Sequence, residues 1–214
     1  MLLVEDRMSK SPITIKRDDS FQTALNLLRQ GGVRHLPVLE GKKLVGILTD
    51  RDLRQASPSP ATSLSIYEIK YLLNKIVVED IMVKDVITVP PTATIELAAK
   101  MIYEQRIGAL PVVNEKGELL GIITETDILE TFVEATGLGE PSSRIEVEMD
   151  DKPGALAKVA QLIKKHDINI ISVMTIPGVT KGKRVVVFRL ATTNPSAVKK
   201  EIEGAGYAVL SVVD

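Results

Sequence analysis

Apolar positions along the first 134 residues fall into two series that match at a fixed distance. Phe21, Ala24, Leu25 and Leu28 sit at i, i+3, i+4 and i+7, the spacing that gathers side chains on one face of an α-helix, and Ile95, Ala98, Ala99 and Ile102 repeat it 74 positions later. Short β-branched runs follow each helix, over 36–39 and 44–48 around Gly41, and over 110–113 and 119–123 around Gly117. Each pair predicts two strands joined by a turn. Gly31-Gly32 predicts a stop for the first helix, since glycine readily takes the left-handed conformation that ends helices, and Gly108 is the matching candidate for the second. The match extends outward: Val4, Glu5, Asp6 and Met8 recur as Val78, Glu79, Asp80 and Met82, and Ile13-Thr14 recurs as Ile87-Thr88. Leu36-Pro37-Val38 recurs as Leu110-Pro111-Val112; after one insertion near Gly117, Gly46, Thr49 and Asp52 recur as Gly121, Thr124 and Asp127, at an offset of 75. Each repeat reads strand, helix, strand, turn, strand, helix.

Ser57-Pro58-Ser59-Pro60 breaks the chain after the first repeat, and residues 66–73 predict a short linking helix. The pattern lapses again through Gly137, Gly139, Pro141, Ser142 and Ser143, and a new unit starts. Ile145, Val147 and Met149 alternate with charges as a half-buried strand, while Leu156, Val159, Ala160 and Ile163 form a helical stripe. Strands follow over 168–176 and 184–191, joined by a turn over 178–182; a helix carrying Val198, Ile202 and Ala205 starts after Asn194-Pro195, and a last strand covers 207–213. The order is βαββαβ. The expected division is therefore 1–57 for the first repeat, 58–77 for a linker, 78–134 for the second repeat, 135–143 for a second linker and 144–214 for the final domain, an α/β (α+β) chain.

Composition narrows the function classes. Basic residues number 27 and acidic residues 28, interspersed, so no global field draws the chain to nucleic acid or an anionic membrane. Aromatics at 3 %, without tryptophan, leave little material for stacking on single-stranded nucleic acid. Neither repeat nor final domain leaves room for a helix-turn-helix. The absence of cysteine excludes disulfides, thiolate metal sites and cysteine nucleophiles, and suits a reducing compartment. No stretch reaches the ~18 apolar residues of a membrane span, so a cytoplasmic protein is expected. His35 and His166 are the only histidines and neither has ligand spacing, so no metal and no catalytic residue are expected; His166 fits the C-terminal end of a helix dipole.

The short strand ending in threonine, the apolar-Pro-Val strand and the Gly-x-x-Thr-x-x-Asp segment, all in tandem, resemble the CBS repeat family, whose pairs form a Bateman module. Asp151-Lys152-Pro153-Gly154-Ala155-Leu156 at the first turn of the βαββαβ unit, with Asn169 opening the next strand, resembles a ferredoxin-like ACT domain. The whole order, with Arg34-His35-Leu36-Pro37-Val38, Thr49-Asp50-Arg51-Asp52 and Val187-Phe188-Arg189, is similar to the AcuB-like (acetoin utilisation) proteins. The resemblance implies a non-catalytic regulatory protein that binds an adenosine nucleotide (AMP, ADP, ATP or related) between the repeats as a regulatory ligand, with no catalytic cofactor. It places Thr14, Arg34, His35, Pro37, Thr49, Arg51 and Asp52 at one site, and Thr88, Ala109, Pro111, Thr124 and Asp127 at a second.

Two readings of Thr-x-x-Asp stand side by side. The pair can form a helix capping box, and the carboxylate can also accept hydrogen bonds from ribose hydroxyls while the helix start holds phosphate. The first site is basic, with Arg34, His35, Arg51 and Arg54, whereas the second has Gly108, Ala109 and Thr126 at the aligned positions, Glu125 alongside and Arg106 as nearest cation. The charged nucleotide is therefore expected at the first site, and a less anionic ligand or none at the second. Asp151 and Pro153 read as helix-start chemistry. By resemblance, Asp151, Gly154, Ala155, Leu156 and Asn169 are candidates for holding a small amino acid, the alternative being an ACT domain that serves association alone. Homodimerisation and an unidentified protein partner are expected, with no nucleic acid and no membrane. The rival function is a ligand-free assembly module that recruits a metabolic enzyme.

Overall fold

The computed structural model describes residues 2–58 and 65–213, and the chain divides into compact units over 1–128 and 129–214. The expected break at Ser59 and Pro60 lies outside the described residues. The first unit contains α1 (Val4–Arg7), β1 (Ile15–Lys16), α2 (Phe21–Gly31), β2 (His35–Glu40), β3 (Lys43–Thr49), α3 (Asp50–Ala56), α4 (Ile66–Leu73), α5 (Val78–Ile81), α6 (Ile95–Gln105), β4 (Ala109–Val113) and β5 (Leu119–Thr124), with α7 (Glu125–Thr136) opening at its end. β1 runs parallel to β2, which pairs antiparallel with β3; β4 pairs antiparallel with β5. In the second repeat the opening strand shrinks to a single parallel bridge, Val89 to Val112, because Pro90 and Pro91 follow at once and supply no N–H for a ladder.

The helical stripes face inward as their spacing predicts: Phe21, Ala24 and Leu28 of α2, and Ile95, Ala98 and Ile102 of α6, are buried. α2 ends where expected, with Gly32 left-handed at φ 61°. Gly108 does not end α6. Arg106 takes that role at φ 54°, and its N–H reaches the Ile102 carbonyl.

The first segment of each repeat packs into the other. Val4 is fully buried among Val89, Ile95, Ala98, Leu110 and Ile123, and Val78 among Ile15, Phe21, Leu36 and Leu48. Backbone bonds fix both: Val4 N–H donates to Ala93 O (2.9 Å) and Ile95 N–H to Leu2 O (3.0 Å), while Val78 N–H donates to Asp19 O (2.9 Å) and Phe21 N–H to Ile76 O (3.0 Å). The hairpin tips are also joined, by Leu44 N–H to Gly117 O and Leu119 N–H to Lys42 O, each 3.1 Å. The two repeats therefore share one framework.

The second unit holds β6 (Ser143–Asp150), α8 (Ala155–Lys164), β7 (Ile170–Pro177), β8 (Lys183–Leu190), α9 (Ser196–Gly204) and β9 (Ala208–Val213). Its sheet is antiparallel in the order β7-β8-β6-β9, and β6 alternates buried and half-buried positions along its length. Ile145, Val147 and Met149 meet Val159 and Ile163 of α8, Val198 and Ile202 of α9 and the fully buried Phe188. This is the expected ferredoxin-like arrangement, a four-strand sheet with two helices. Among the described residues no helix is long and apolar enough to cross a membrane.

Candidate functional site

Thr49 ends β3 and caps α3. Its hydroxyl accepts from Asp52 N–H (3.3 Å), and Asp52 Oδ2 accepts from Thr49 N–H (2.8 Å) and from the Thr49 hydroxyl (2.6 Å). The capping box is thus formed without a ligand. It uses one carboxylate oxygen; Oδ1 accepts no hydrogen bond among the described residues and remains an acceptor for a ligand hydroxyl. Thr124 and Asp127 repeat the arrangement at the start of α7, at 2.7, 2.8 and 3.4 Å.

The Thr49–Asp52 box opens on a cleft of about 560 Å³, within the range of small-molecule sites. Ile47, Val83, Val86, Ile87 and Pro111 give it apolar walls. Val83 is held there by reciprocal backbone bonds with Ile47, of 2.9 and 3.0 Å. The cations are Arg34, Arg51, Arg54 and Arg106. Strand register separates the two kinds of lining: Pro37 faces Ile47 while His35 faces Thr49, two residues or roughly 7 Å along the hairpin. Arg34 lies beyond that end, its carbonyl accepting from Asp50 N–H at 3.2 Å. An apolar slot, a carboxylate with one oxygen not used by the cap and a cluster of guanidiniums line the same cleft.

The cleft is built from both repeats, which corrects the assignment of residues repeat by repeat. Arg106, Gly108, Ala109, Pro111 and Glu125, grouped by the sequence with the second site, line the same cleft as Arg34, His35, Thr49, Arg51 and Asp52. Gly108 eases the contact: a Cβ there would come within 2.9 Å of His35 Nε2, so any other residue would have to shift the imidazole for the two strand starts to abut. Burial pushes the His35 imidazole below its ordinary 6.5, with neighbouring Arg34 acting in the same direction and Asp50, Glu125 and Asp52 partly opposing. Arg54 is held by Asp50 (2.7 Å), whereas Arg34, Arg51 and Arg106 form no ion pair among the described residues.

Thr14 lines a different cavity, together with Pro12, Leu39 and Lys42 of the first repeat and Glu118 and Leu119 of the second. Pro37 is buried within β2, and Pro37, Thr88, Thr124 and Asp127 are not among the residues lining the cleft. Sequence reasoning missed Ile47, Val83, Val86 and Ile87. Only Ile87 carried a signal, as the partner of Ile13 in the repeat.

In the second unit, Gly154, left-handed at φ 83°, is the N-cap of α8 and no side chain caps the helix. The capping reading of Asp151 is therefore corrected: its carboxylate turns to Arg184 Nε (3.1 Å). Gly154, Ala155 and Leu156 lie together at that helix start, and Asn169 side-chain atoms form no hydrogen bond to it among the described residues. His166 lies just past α8, with Nε2 buried and without a hydrogen-bond partner among the described residues.

Tandem repeats that build a shared cleft, followed by a four-strand, two-helix domain, define a protein assembled from regulatory modules. Residues 4–59 and 78–134 match the CBS domain, together more than half of the chain, and residues 142–213 match the TTHA0829-like ACT domain. The chain belongs to the CBS-domain family and carries an ACT domain. Among curated proteins it is 34 % identical to a CBS domain-containing protein of Dictyostelium discoideum, over 66 % of this chain and 99 % of that one. It is 31 % identical to the inosine-5'-monophosphate dehydrogenase of Korarchaeum cryptofilum, over 79 % of this chain but only 32 % of the dehydrogenase. The chain thus spans about a third of that relative's length. Among solved structures it is similar to the CBS domain pair of protein MJ0100 in complex with 5'-methylthioadenosine and S-adenosyl-L-methionine (31 % identity, TM-score 0.52, 62 % of this chain and 96 % of that one). It is also similar to CBSX2 in complex with AMP (28 %, 0.53, 63 % and 98 %) and to AcuB of Vibrio cholerae (31 %, 0.54, 65 % and 96 %).

Proposed function

We propose that the chain is a non-catalytic regulatory sensor that takes an adenosine nucleotide in the cleft above the Thr49–Asp52 box. The observation that carries this reading is the convergence, from both repeats, of an apolar slot, a carboxylate with a spare oxygen and several guanidiniums in one cavity. Adenine fits between Ile47, Val83, Val86 and Ile87; the ribose hydroxyls donate to Asp52; phosphate meets the α3 start and the arginines. The ligands of the two solved structures, AMP in one and 5'-methylthioadenosine and S-adenosyl-L-methionine in the other, support an adenosine compound. Arg34, His35, Arg51, Ala109 and Pro111 belong to this site, and Thr14, Thr88, Thr124 and Asp127 to a less anionic second position or to none. The ACT domain serves homodimerisation or senses a small amino acid near Asp151, Gly154, Ala155, Leu156 and Asn169. The likeness to AcuB supports a role in acetoin utilisation, exerted on a protein partner in the cytoplasm.

The test is thermal stability of the purified, nucleotide-free protein against AMP, ADP, ATP, NAD, S-adenosylmethionine and a set of amino acids. A ligand that binds only the folded state raises the transition temperature. A rise with an adenosine compound supports the sensor, and no rise with any of them sinks it in favour of the ligand-free assembly module.

A further inference from the structure

The repeats carry glycine and arginine in reversed order at matched positions: Gly32-Val33-Arg34 in the first, Arg106-Ile107-Gly108 in the second. Gly32 and Arg106 do the same backbone job. Both are left-handed C-caps, at φ 61° and 54°, with N–H groups bonded to Leu28 O and Ile102 O. Arginine is costly there, because in the left-handed region a Cβ crowds its own backbone. Arg106 and Asp167 are the only non-glycine residues at positive φ among the described residues. Strain of this kind marks a position where something other than the helix end has set the side chain. At the place matching Arg34 a side chain in the second repeat would have to displace the His35 imidazole, whose Nε2 stands 2.9 Å from where a Cβ of Gly108 would be. Two residues earlier a side chain has room, and the one present reaches the cleft whose Thr-x-x-Asp box belongs to the first repeat.

Charge gives the position its weight. The ionisable groups lining the cleft, His35 aside, are Arg34, Arg51, Arg54 and Arg106 against Asp50, Asp52, Asp85 and Glu125, an even balance. Removing one guanidinium leaves the lining net negative, and an anionic ligand is then repelled. We propose that Arg106 is a phosphate-recognising residue, lent by the second repeat to the first repeat's cleft, which turns its preference toward phosphorylated adenosine ligands and away from uncharged ones such as 5'-methylthioadenosine. This rests on the cleft being the adenosine site.

The experiment compares wild type, Arg106→Gly and Arg106→Gln by titration calorimetry with AMP and with 5'-methylthioadenosine, and by thermal unfolding without ligand. Arg106→Gly relieves the backbone and should raise the unliganded transition by roughly 2–4 °C, while weakening AMP about 10- to 100-fold. Stability and affinity move in opposite directions. Arg106→Gln keeps the Cβ and should weaken AMP by a similar factor without the gain in stability. Binding of 5'-methylthioadenosine should stay within about twofold in both, the span expected when no charged contact is lost. AMP affinity unchanged in both variants, or lost in step with 5'-methylthioadenosine, overturns the role of Arg106 while leaving the adenosine site intact. Failure of wild type to bind either compound overturns the site itself, and this inference with it.

Discussion

Asp52 and Asp127 make a matched pair for experiment. Each is the third residue of a helix whose threonine cap it bonds, with contacts of 2.6–2.8 Å to the threonine, yet only Asp52 lines the described cleft. Replacing either by alanine removes the acceptor for a cap N–H and a hydroxyl, a loss of about 1–2 kcal/mol. For the unit of residues 1–128, with an unfolding entropy of roughly 2.1 cal/mol/K per residue, that is a fall of about 4–7 °C in both variants. Ligand response should split them. At a concentration about 100 times Kd, a nucleotide adds ~2.7 kcal/mol to the wild-type unit, or roughly 10 °C. Losing hydrogen bonds to a charged acceptor costs about 1.5–3 kcal/mol of binding, which cuts the same addition to about 0.3–1.3 kcal/mol in Asp52→Ala, a rise of only ~1–5 °C. Asp127→Ala should keep the full rise. Differential scanning calorimetry with and without the adenosine ligand found in the panel reads both quantities from one protein sample. If Asp127→Ala abolishes the response as completely as Asp52→Ala, or if Asp52→Ala retains it, the assignment of the ribose acceptor to Asp52 is refuted.

Gly121→Ala should be more damaging than Gly46→Ala: its Cβ would meet the Ser9 carbonyl at 2.7 Å and disturb the Ser9–Ile122 bridge, whereas the Gly46 Cβ meets the movable Met82 Sδ at 2.4 Å and its nearest carbonyl, that of Val83, only at 3.2 Å. About 2–3 against about 1 kcal/mol is expected by urea unfolding, and equal costs would discredit this reading of the close contacts. His35, with its imidazole held below 6.5, makes the unfolded chain the better proton binder just under that value, so stability should decline as pH drops from 6.5 toward the lowered folded value; His35→Gln should flatten this decline in pH-dependent melts. Asp150 is pulled from 3.8 to about 2, first by its hydrogen bond from Lys152 and then by that from Lys183. A carboxyl resonance that titrates near 3.8 in the folded protein would contradict those contacts; the expected midpoint is about 2, with the stabilisation present above 3.8 and lost as pH falls through the folded value.

Much of the architecture could be read from spacing alone, because period-3.6 and period-2 patterns report burial directly. The stripe on α2, the alternation of β6 and the cap at Gly32 came out as their residues suggest. The stop at Gly108 did not, since propensity favours glycine at a left-handed cap and cannot foresee that arginine is used there. Nor could a linear motif reveal the cleft's composition. The sequence groups Glu125 with its neighbour Thr124, and Arg106 with the same repeat, but both line the cleft of Thr49, where His35 meets Gly108. Asp151 follows the same logic, its cap role lost to a cross-strand arginine that no local pattern connects to it.

The exchange of opening segments between the repeats bears on how the chain is made. During synthesis α1 emerges before both repeats are complete, and Val4 has no core to enter until Ile95, Leu110 and Ile123 have followed. The first repeat is completed earlier, when Val78 arrives. Contacts of such wide sequence separation slow folding, because chain entropy is spent before they form. A segment made ahead of the first repeat thus waits for the second to be placed, and damage to residues 2–9 should be felt by the second repeat's core before the first's.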